Sequence, residues 1–434
     1  MLKFINANQK RFEKKLKIIL DSRKFTQNKN TAIIKNILFN VKRKGDRAVV
    51  YYEKKYSKIK NKSRTIKFSK SDIVKISKKI DSKLKKSIDI SFARIKKFHS
   101  HQKFSGYKFK DKFNSELSYK YTPIESVGVY VPGGTASYPS TVLMNCIPAI
   151  VAGVKNIYLT TPCLDSNINP AIIYAAKKCG VKEIYKIGGA QAIAALAFGT
   201  KKIQKVNKIV GPGNQFVAAA KKEIFGNVGI DMIAGPSEVM VVADKTSNPD
   251  WVAADLIAQA EHDQYSQSIL IANDKKLISN VKKSLNYQLN TLPKKNIARL
   301  SLKRFGYAIL SNNIKKTISI INEVAPEHLE IQIKNPYKIL RNIKNAGSIF
   351  IGRYSPEAMG DYLAGPNHVL PTTGSAKFSS GLSVFDFLKR QSLIKISKTG
   401  IERLGPYVIN LAKYENLEGH AISVKKRIKR SKIG

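Results

Sequence analysis

The sequence predicts an α/β fold built on parallel sheets, and two observations carry that expectation. From Val127 onward, short β-branched runs ending in Gly- or Pro-marked turns (VGVYVPGG, NIYLTTP, EIYKIGG, KIVGPGN, EVMVVAD, SILIAND) alternate with Ala-rich helical segments. Strand–helix alternation of this kind feeds parallel strands whose two faces are both covered. The chain also has 434 residues, more than a single core usually organises, so two or more units are expected.

Taken in order, the residues up to about 100 read as helical, with stretches such as SDIVKISKKIDSKLKKSIDISFARIKKF placing Ile, Leu and Phe three and four apart. In the alternating region, helices are expected over residues 170–178, 190–198, 214–224 and 249–262, and two α/β units meet near Gly235. GSIFIG at 347–352 is a further strand, followed by a turn-rich stretch to about Ser380. The remaining residues return to short helix, strand and a basic tail, KKRIKRSKIG. There is no repeat of solenoid period and no low-complexity linker.

Composition excludes several classes. The longest nearly apolar run, 142–154, contains Asn145 and Pro148 and falls short of the roughly 20 residues that span a bilayer. The N-terminus interrupts its apolar positions with Asn, Gln, Glu and Lys, so no signal-peptide core can be drawn and the cytoplasm is the expected compartment. Cys146, Cys163 and Cys179 form neither a CxxC pair nor an even set, which fits a reducing environment and buried small side chains. The net charge of +47 invites a polyanionic partner. Lysine is, however, spread through the first hundred residues, through 275–316 and into the tail, usually beside Ile and Asn, as adenine- and thymine-rich codons would produce. No zinc-finger spacing, helix-turn-helix pattern or aromatic-interleaved basic motif supports nucleic-acid binding as a function.

The less basic, Gly- and Ala-rich middle carries the chemistry. Three glycine turns follow apolar strands: Pro132-Gly133-Gly134, Gly188-Gly189-Ala190-Gln191 and Gly211-Pro212-Gly213-Asn214. Each opens toward a helix whose first amides could meet phosphate or ribose oxygens, although none completes GxGxxG. Gln259 and His262, three apart at a predicted helix end, share one face and could hold a ligand or metal, or could simply cap the helix in water. Pro326-Glu327-His328 sets a carboxylate beside an imidazole, the side chains most used as general acid and base. Asp361, in Gly360-Asp361-Tyr362, offers a hard oxygen ligand, and Gly365-Pro366-Asn367-His368 follows in the same turn-rich segment. Glu415 and His420 lie five apart, off one helical face, in YENLEGHA. His99 and His101 read as surface residues of the basic N-terminal region.

Together the segments YVPGG, GGAQAIAALA, GPGN, DMIAGPSE, AQAEHD, VAPEHLE, GDYLAGPNHVLPT, SGLSVFDF and EGH, in this order and approximate spacing, resemble the histidinol dehydrogenase family from about Ile124 to Ser423. The resemblance implies two incomplete Rossmann-like parallel-sheet domains with a helical N-terminal region and a small C-terminal dimer-exchange segment. The boundaries expected are an arm at 1–24, a first α/β domain at 25–125 plus 238–380, a second at 126–237, and a C-terminal segment at 381–434 that reaches a partner subunit. The resemblance further implies one zinc ion per subunit, held by Gln259, His262 and Asp361 with His420 supplied by the other subunit of a homodimer. NAD contacts fall to Tyr130, Gln191 and Asn214. Ser237, Gln259, His262, His328, Asp361, Glu415 and His420 line an L-histidinol site, and Glu327 and His328 are catalytic. A related zinc dehydrogenase acting on another small polar alcohol is the alternative on the same scaffold. No membrane or specific nucleic-acid partner is expected.

Overall fold

In a computed structural model of the chain, residues 2–22, 31–56, 65–102, 104–133, 138–163 and 168–429 are described. Gly134 of the first glycine turn, the expected boundary at residue 24 and the end of the basic tail lie outside them. The chain forms two compact units, residues 1–101 with 125–387 and residues 102–124 with 388–434. Its strands are β1 (Lys3–Asn6), β2 (Tyr107–Lys110), β3 (Glu116–Pro123), β4 (Ser126–Tyr130), β5 (Asn156–Thr160), β6 (Glu183–Tyr185), β7 (Lys208–Val210), β8 (Gly229–Ile230), β9 (Glu238–Ala243), β10 (Gln267–Ala272), β11 (Gly306–Leu310), β12 (His328–Ile331), β13 (Ser348–Ile351) and β14 (Leu388–Lys395). Every run read as a strand in the alternating region is one, and GSIFIG supplies β13.

The larger unit holds two parallel sheets. The first runs β1-β11-β10-β9-β12-β13, parallel throughout. Its strands are apolar on both sides because both faces are covered. Val239, Val241 and Leu270 pack with Val252, Leu256, Leu277, Val281 and Leu302 of one helical layer, whereas Met240, Val242, Ile269 and Leu329 pack with Phe12, Leu16, Ile320 and Ile321 of the other. The second sheet runs β6-β5-β4-β7-β8, also parallel, with the helices Thr31–Lys44, Asp46–Tyr56, Gly189–Phe198 and Gln215–Ile224 on one face. In each sheet the strand order reverses once, between β9 and β12 and between β4 and β7, the two switch points at which an α/β sheet opens a crevice.

The first hundred residues are mostly helical as expected, with β1 as an edge strand added before the first helix. His99 departs from expectation: it is fully buried on the stripe Ile88, Ser91, Ile95, His99 of the helix Ser82–Ser100, with Nδ1 2.9 Å from the Ile95 carbonyl. The smaller unit is an antiparallel sheet, β14-β3-β2, with the helices Lys398–Tyr414 and Glu418–Lys429. These two helices pack closely at Gly405, where a Cβ would meet Ile428 Cδ1 at 2.6 Å. No helix among the described residues is long and apolar enough to cross a membrane.

Candidate functional site

Three short pieces of chain converge at the amino edge of the first sheet, beside the starts of β9 and β12. The helix Pro249–Ala260 starts cleanly, with Asn248 accepting from Asp250 N at 2.8 Å and Pro249 at its first position. It returns antiparallel to β9, so Gln259 near its end and His262 just beyond lie at the edge where β9 and β12 begin. Strand β12 follows a helix, Ile314–Val324, that ends with Ala325 in the left-handed region at φ 47° and is closed off by Pro326. Alternation along β12 then sends Leu329 and Ile331 into one core layer and His328 and Glu330 toward the helix Pro249–Ala260. The third piece is the helix Glu357–Tyr362, whose Glu357 and Asp361 are four apart and share a face. Gly360 is required there, since a Cβ would sit 2.6 Å from the Phe350 ring of β13.

Ligand atoms of His262, Glu357 and Asp361 all lie within 4.8 Å of one another. Around them, His328 Nδ1 is 3.7 Å from Glu357 Oε2 and 4.0 Å from Glu327 Oε2, His328 Nε2 is 4.0 Å from Asp361 Oδ1, and His368 Nδ1 is 3.7 Å from the same oxygen. Gln259 is 0% exposed and neither atom of its amide has a hydrogen-bond partner among the described residues; the same holds for His328 Nδ1 and Glu357 Oε2. Leaving a buried polar atom unpaired costs about 1–3 kcal/mol, so orphaned acceptors on Gln259, His328 and Glu357, with the His262 and Asp361 ligand atoms beside Glu357, mark a place made for a cation. Donors of this kind, imidazole nitrogen and carboxylate oxygen, suit zinc.

The electrostatics agree. Burial raises the Glu327 and Glu357 carboxyls well above their ordinary range, aided for Glu357 by Asp361 and opposed for Glu327 by the hydrogen bond from the Glu238 N–H. Burial also lifts Asp361 to about 6, against the pull of His262. The imidazoles move the other way: burial, with His368 and His262 nearby, lowers His328 to about 3, and burial lowers His368 to about 4. Such opposed shifts are what burial does to ionisable groups, pushing acid and imidazole alike toward their neutral forms. Glu327 is also anchored, accepting the Glu238 N–H at 2.9 Å, and Ser237 stands immediately before that residue at the start of β9.

The expected nucleotide residues gather at the second switch point, at the carboxyl edge of the other sheet. Tyr130 ends β4 and its hydroxyl accepts the Gly189 N–H at 3.1 Å; Gln191 is buried, and its Nε2 donates to Glu53 Oε1 at 2.8 Å. The same Glu53 oxygen accepts the Gly188 N–H at 2.8 Å. These two amides at the start of the helix Gly189–Phe198 are therefore met by the protein's own groups, one of them an anion, rather than left open for phosphate. Asn214 is exposed and its side chain caps the next helix, accepting from Phe216 N at 3.1 Å and Val217 N at 3.2 Å. In the turns at 188–191 and 211–214, amides that could have met phosphate or ribose oxygens are met by protein groups instead.

The structure thus brings together Ser237, Gln259, His262, Glu327, His328 and Asp361 at one edge and Tyr130 and Gln191 at another. Glu415 and His420 belong to the smaller unit and are exposed, at the end of one helix and inside the next. Glu357, His368 and Glu53 were not singled out for a role from sequence. The four-residue spacing of Glu357 and Asp361 was the available signal for the first.

Comparison with known proteins follows this geometry. The family model described as Histidinol dehydrogenase matches residues 20–428. Histidinol dehydrogenase of Pelagibacter ubique is 53% identical over 431 residues, covering 99% of this chain and 100% of that protein. The Brucella abortus enzyme of the same name is 46% identical over 417 residues, covering 96% of this chain and 97% of its own. The crystal structure of histidinol dehydrogenase from Elizabethkingia anophelis superposes with a TM-score of 0.91 at 38% identity, covering 99% of this chain and 98% of that one. The chain, an oxidoreductase of histidine biosynthesis, belongs to the histidinol dehydrogenase family.

Proposed function

We propose that this chain oxidises L-histidinol through L-histidinal to L-histidine with two NAD molecules, using one zinc ion per subunit, in a cytoplasmic homodimer. The observation that carries the metal is the set of orphaned buried atoms of Gln259, His328 and Glu357 together with the close grouping of His262, Glu357 and Asp361. In this reading Gln259, His262 and Asp361 hold the ion, with His420 of the partner subunit as the fourth donor. Exposed Tyr407, Val408, Leu411 and Tyr414 on the helix Lys398–Tyr414 support an associating surface beside that segment. When bound, zinc supplies a fixed anchor for the imidazole and amine of the substrate.

The remaining work falls to side chains. Burial keeps His328 neutral, so its ring retains a lone pair that can take the hydroxyl proton as a hydride leaves for the nicotinamide. Glu327, a carboxyl whose proton affinity burial has raised, is the stronger base once deprotonated and activates the water that hydrates the aldehyde. Ser237, at the mouth of β9, and Glu415 line the substrate. Tyr130, Gln191 and Asn214 contact NAD, with Glu53 holding the Gln191 amide in place.

The test is NADH formed per L-histidinol consumed, with and without a zinc chelator. Two NADH per substrate, lost on chelation and restored by zinc, is the expected result. No NADH from histidinol with folded, zinc-loaded protein would overturn the substrate and favour another small polar alcohol.

A further inference from the structure

Next to the cluster, along the same two elements, lie three polar residues that the chemistry above does not use. Asp255 precedes Gln259 by one helical turn, while Glu330 and Gln332 continue the His328 face of β12 at strand spacing. Gln332 Nε2 donates to Asp255 Oδ2 at 2.6 Å and to Glu330 Oε2 at 2.7 Å. Both carboxyls accept from that one amide, which sets them side by side, and burial pushes both above their ordinary range. Glu330 Oε1 in turn accepts the backbone N–H of Glu357 at 2.7 Å. That amide opens the helix Glu357–Tyr362, which has no side-chain cap of its own. A continuous chain of hydrogen bonds therefore links the helix that carries Gln259, and His262 just past its end, to the helix that carries Glu357 and Asp361.

We propose that Asp255, Glu330 and Gln332 form a positioning bracket that sets the separation between the two metal-bearing segments. The inference rests on the zinc reading of the cluster. A buried acid, a half-buried acid and a buried amide are a costly way to fill space, since apolar side chains of the same volume would pack there with less desolvation. What the polar set supplies is direction. Each bond is aimed, and a six-residue helix fixed at its first amide has its Glu357 and Asp361 oxygens fixed with it. Partners of this kind behind metal donors orient them and tune affinity.

The experiment measures zinc affinity of the full-length protein by competition with a chromophoric chelator, with melting of the metal-free protein recorded alongside. Glu330→Met keeps the volume but removes the acceptor, and is expected to weaken zinc binding about 10–100-fold, whereas Glu330→Gln, which can still accept from Glu357 and donate to Asp255, stays within about threefold of the parent. Should Glu330→Met not fold, Gln332→Met removes the shared donor from outside the acid pair and is expected to weaken binding in the same direction. Equal weakening by Glu330→Gln and Glu330→Met would overturn the bracket in favour of a charge effect. A lower melting temperature with unchanged zinc affinity would overturn it in favour of a purely structural role. Failure of the parent protein itself to bind zinc would overturn the metal reading, and the bracket with it.

Discussion

His328 sits near three carboxyl groups, at 3.7 Å from Glu357 and 4.0 Å from both Glu327 and Asp361, an arrangement that on charge alone would favour imidazolium. Burial outweighs them and drives its pKa down to about 3. A neutral ring in an acidic surround is suited to accepting a proton in the reaction rather than at rest. His328→Asn keeps a polar side chain of similar shape without the basic nitrogen. Turnover should fall by about 10²–10⁴ while zinc binding persists, as steady-state rates and metal content would show; undiminished turnover would remove His328 from the chemistry. At this scale the sequence is informative for Glu327 and His328, adjacent letters whose side chains the fold buries in one cluster. It was less so for Glu357, because PEAMGDY lies in a stretch dominated by turn residues and the short helix that aligns Glu357 with Asp361 is not expected there. His99 was misread because lysines surround it in the sequence, although the stripe Ile88, Ser91, Ile95, His99 has the spacing of one buried helical face.

The Gly211 turn shows how an element is held. Gly211 has φ 109°, and a Cβ there would lie 2.1 Å from the Tyr130 carbonyl oxygen, so glycine is obligatory. Its N–H donates to Asp231 Oδ2 at 2.8 Å and its carbonyl accepts from Lys221 Nζ at 3.1 Å. Lys221 and Asp231 are paired with each other and almost wholly buried. Removing one partner strands a buried charge. Asp231→Ala should therefore cost about 3–5 kcal/mol of stability and raise KM for NAD, as urea denaturation and kinetics would measure; a loss below about 1 kcal/mol would mean that Lys221 finds water or another partner. The parallel strands were legible because burial on both faces makes them continuously apolar, as in EVMVVA and SILIA. The antiparallel strands ELSYKYTP and LKRQSLIK were not, because they are polar, the first half-buried and the second largely exposed, and defined by pairing with segments far away in the chain.

Across the whole molecule, the opposed titrations of the buried groups set a stability profile. His328 and His368 have folded values of about 3 and about 4, below the unfolded value of 6.5, so acidification through that window protonates the unfolded chain preferentially and destabilises the fold. Glu327, Glu330 and Glu357 are raised well above their unfolded value, so their contribution is present at low pH and lost as pH rises through the folded values. Above about pH 6.5 the histidines are neutral in both states and only the acids count. The metal-free protein should therefore lose stability on the alkaline side, a loss that zinc should reverse by neutralising the carboxylates. Melting temperatures from pH 5 to 8.5 with and without zinc measure this, and a metal-free curve that keeps rising above pH 7 would contradict it. The smaller unit has a different consequence, in the order of synthesis. Its β2–β3 hairpin leaves the ribosome some 270 residues before β14, the strand that completes its sheet and bonds it across separations such as the 275 residues from Ser118 to Leu393. At about 5–20 residues per second, the edge of β3 waits unpaired for tens of seconds on every new chain. Lys108, Lys110 and Lys120 outnumber the one acid they face on that hairpin, Glu116, and leave it a net positive charge during the wait, which discourages nascent chains from pairing with one another.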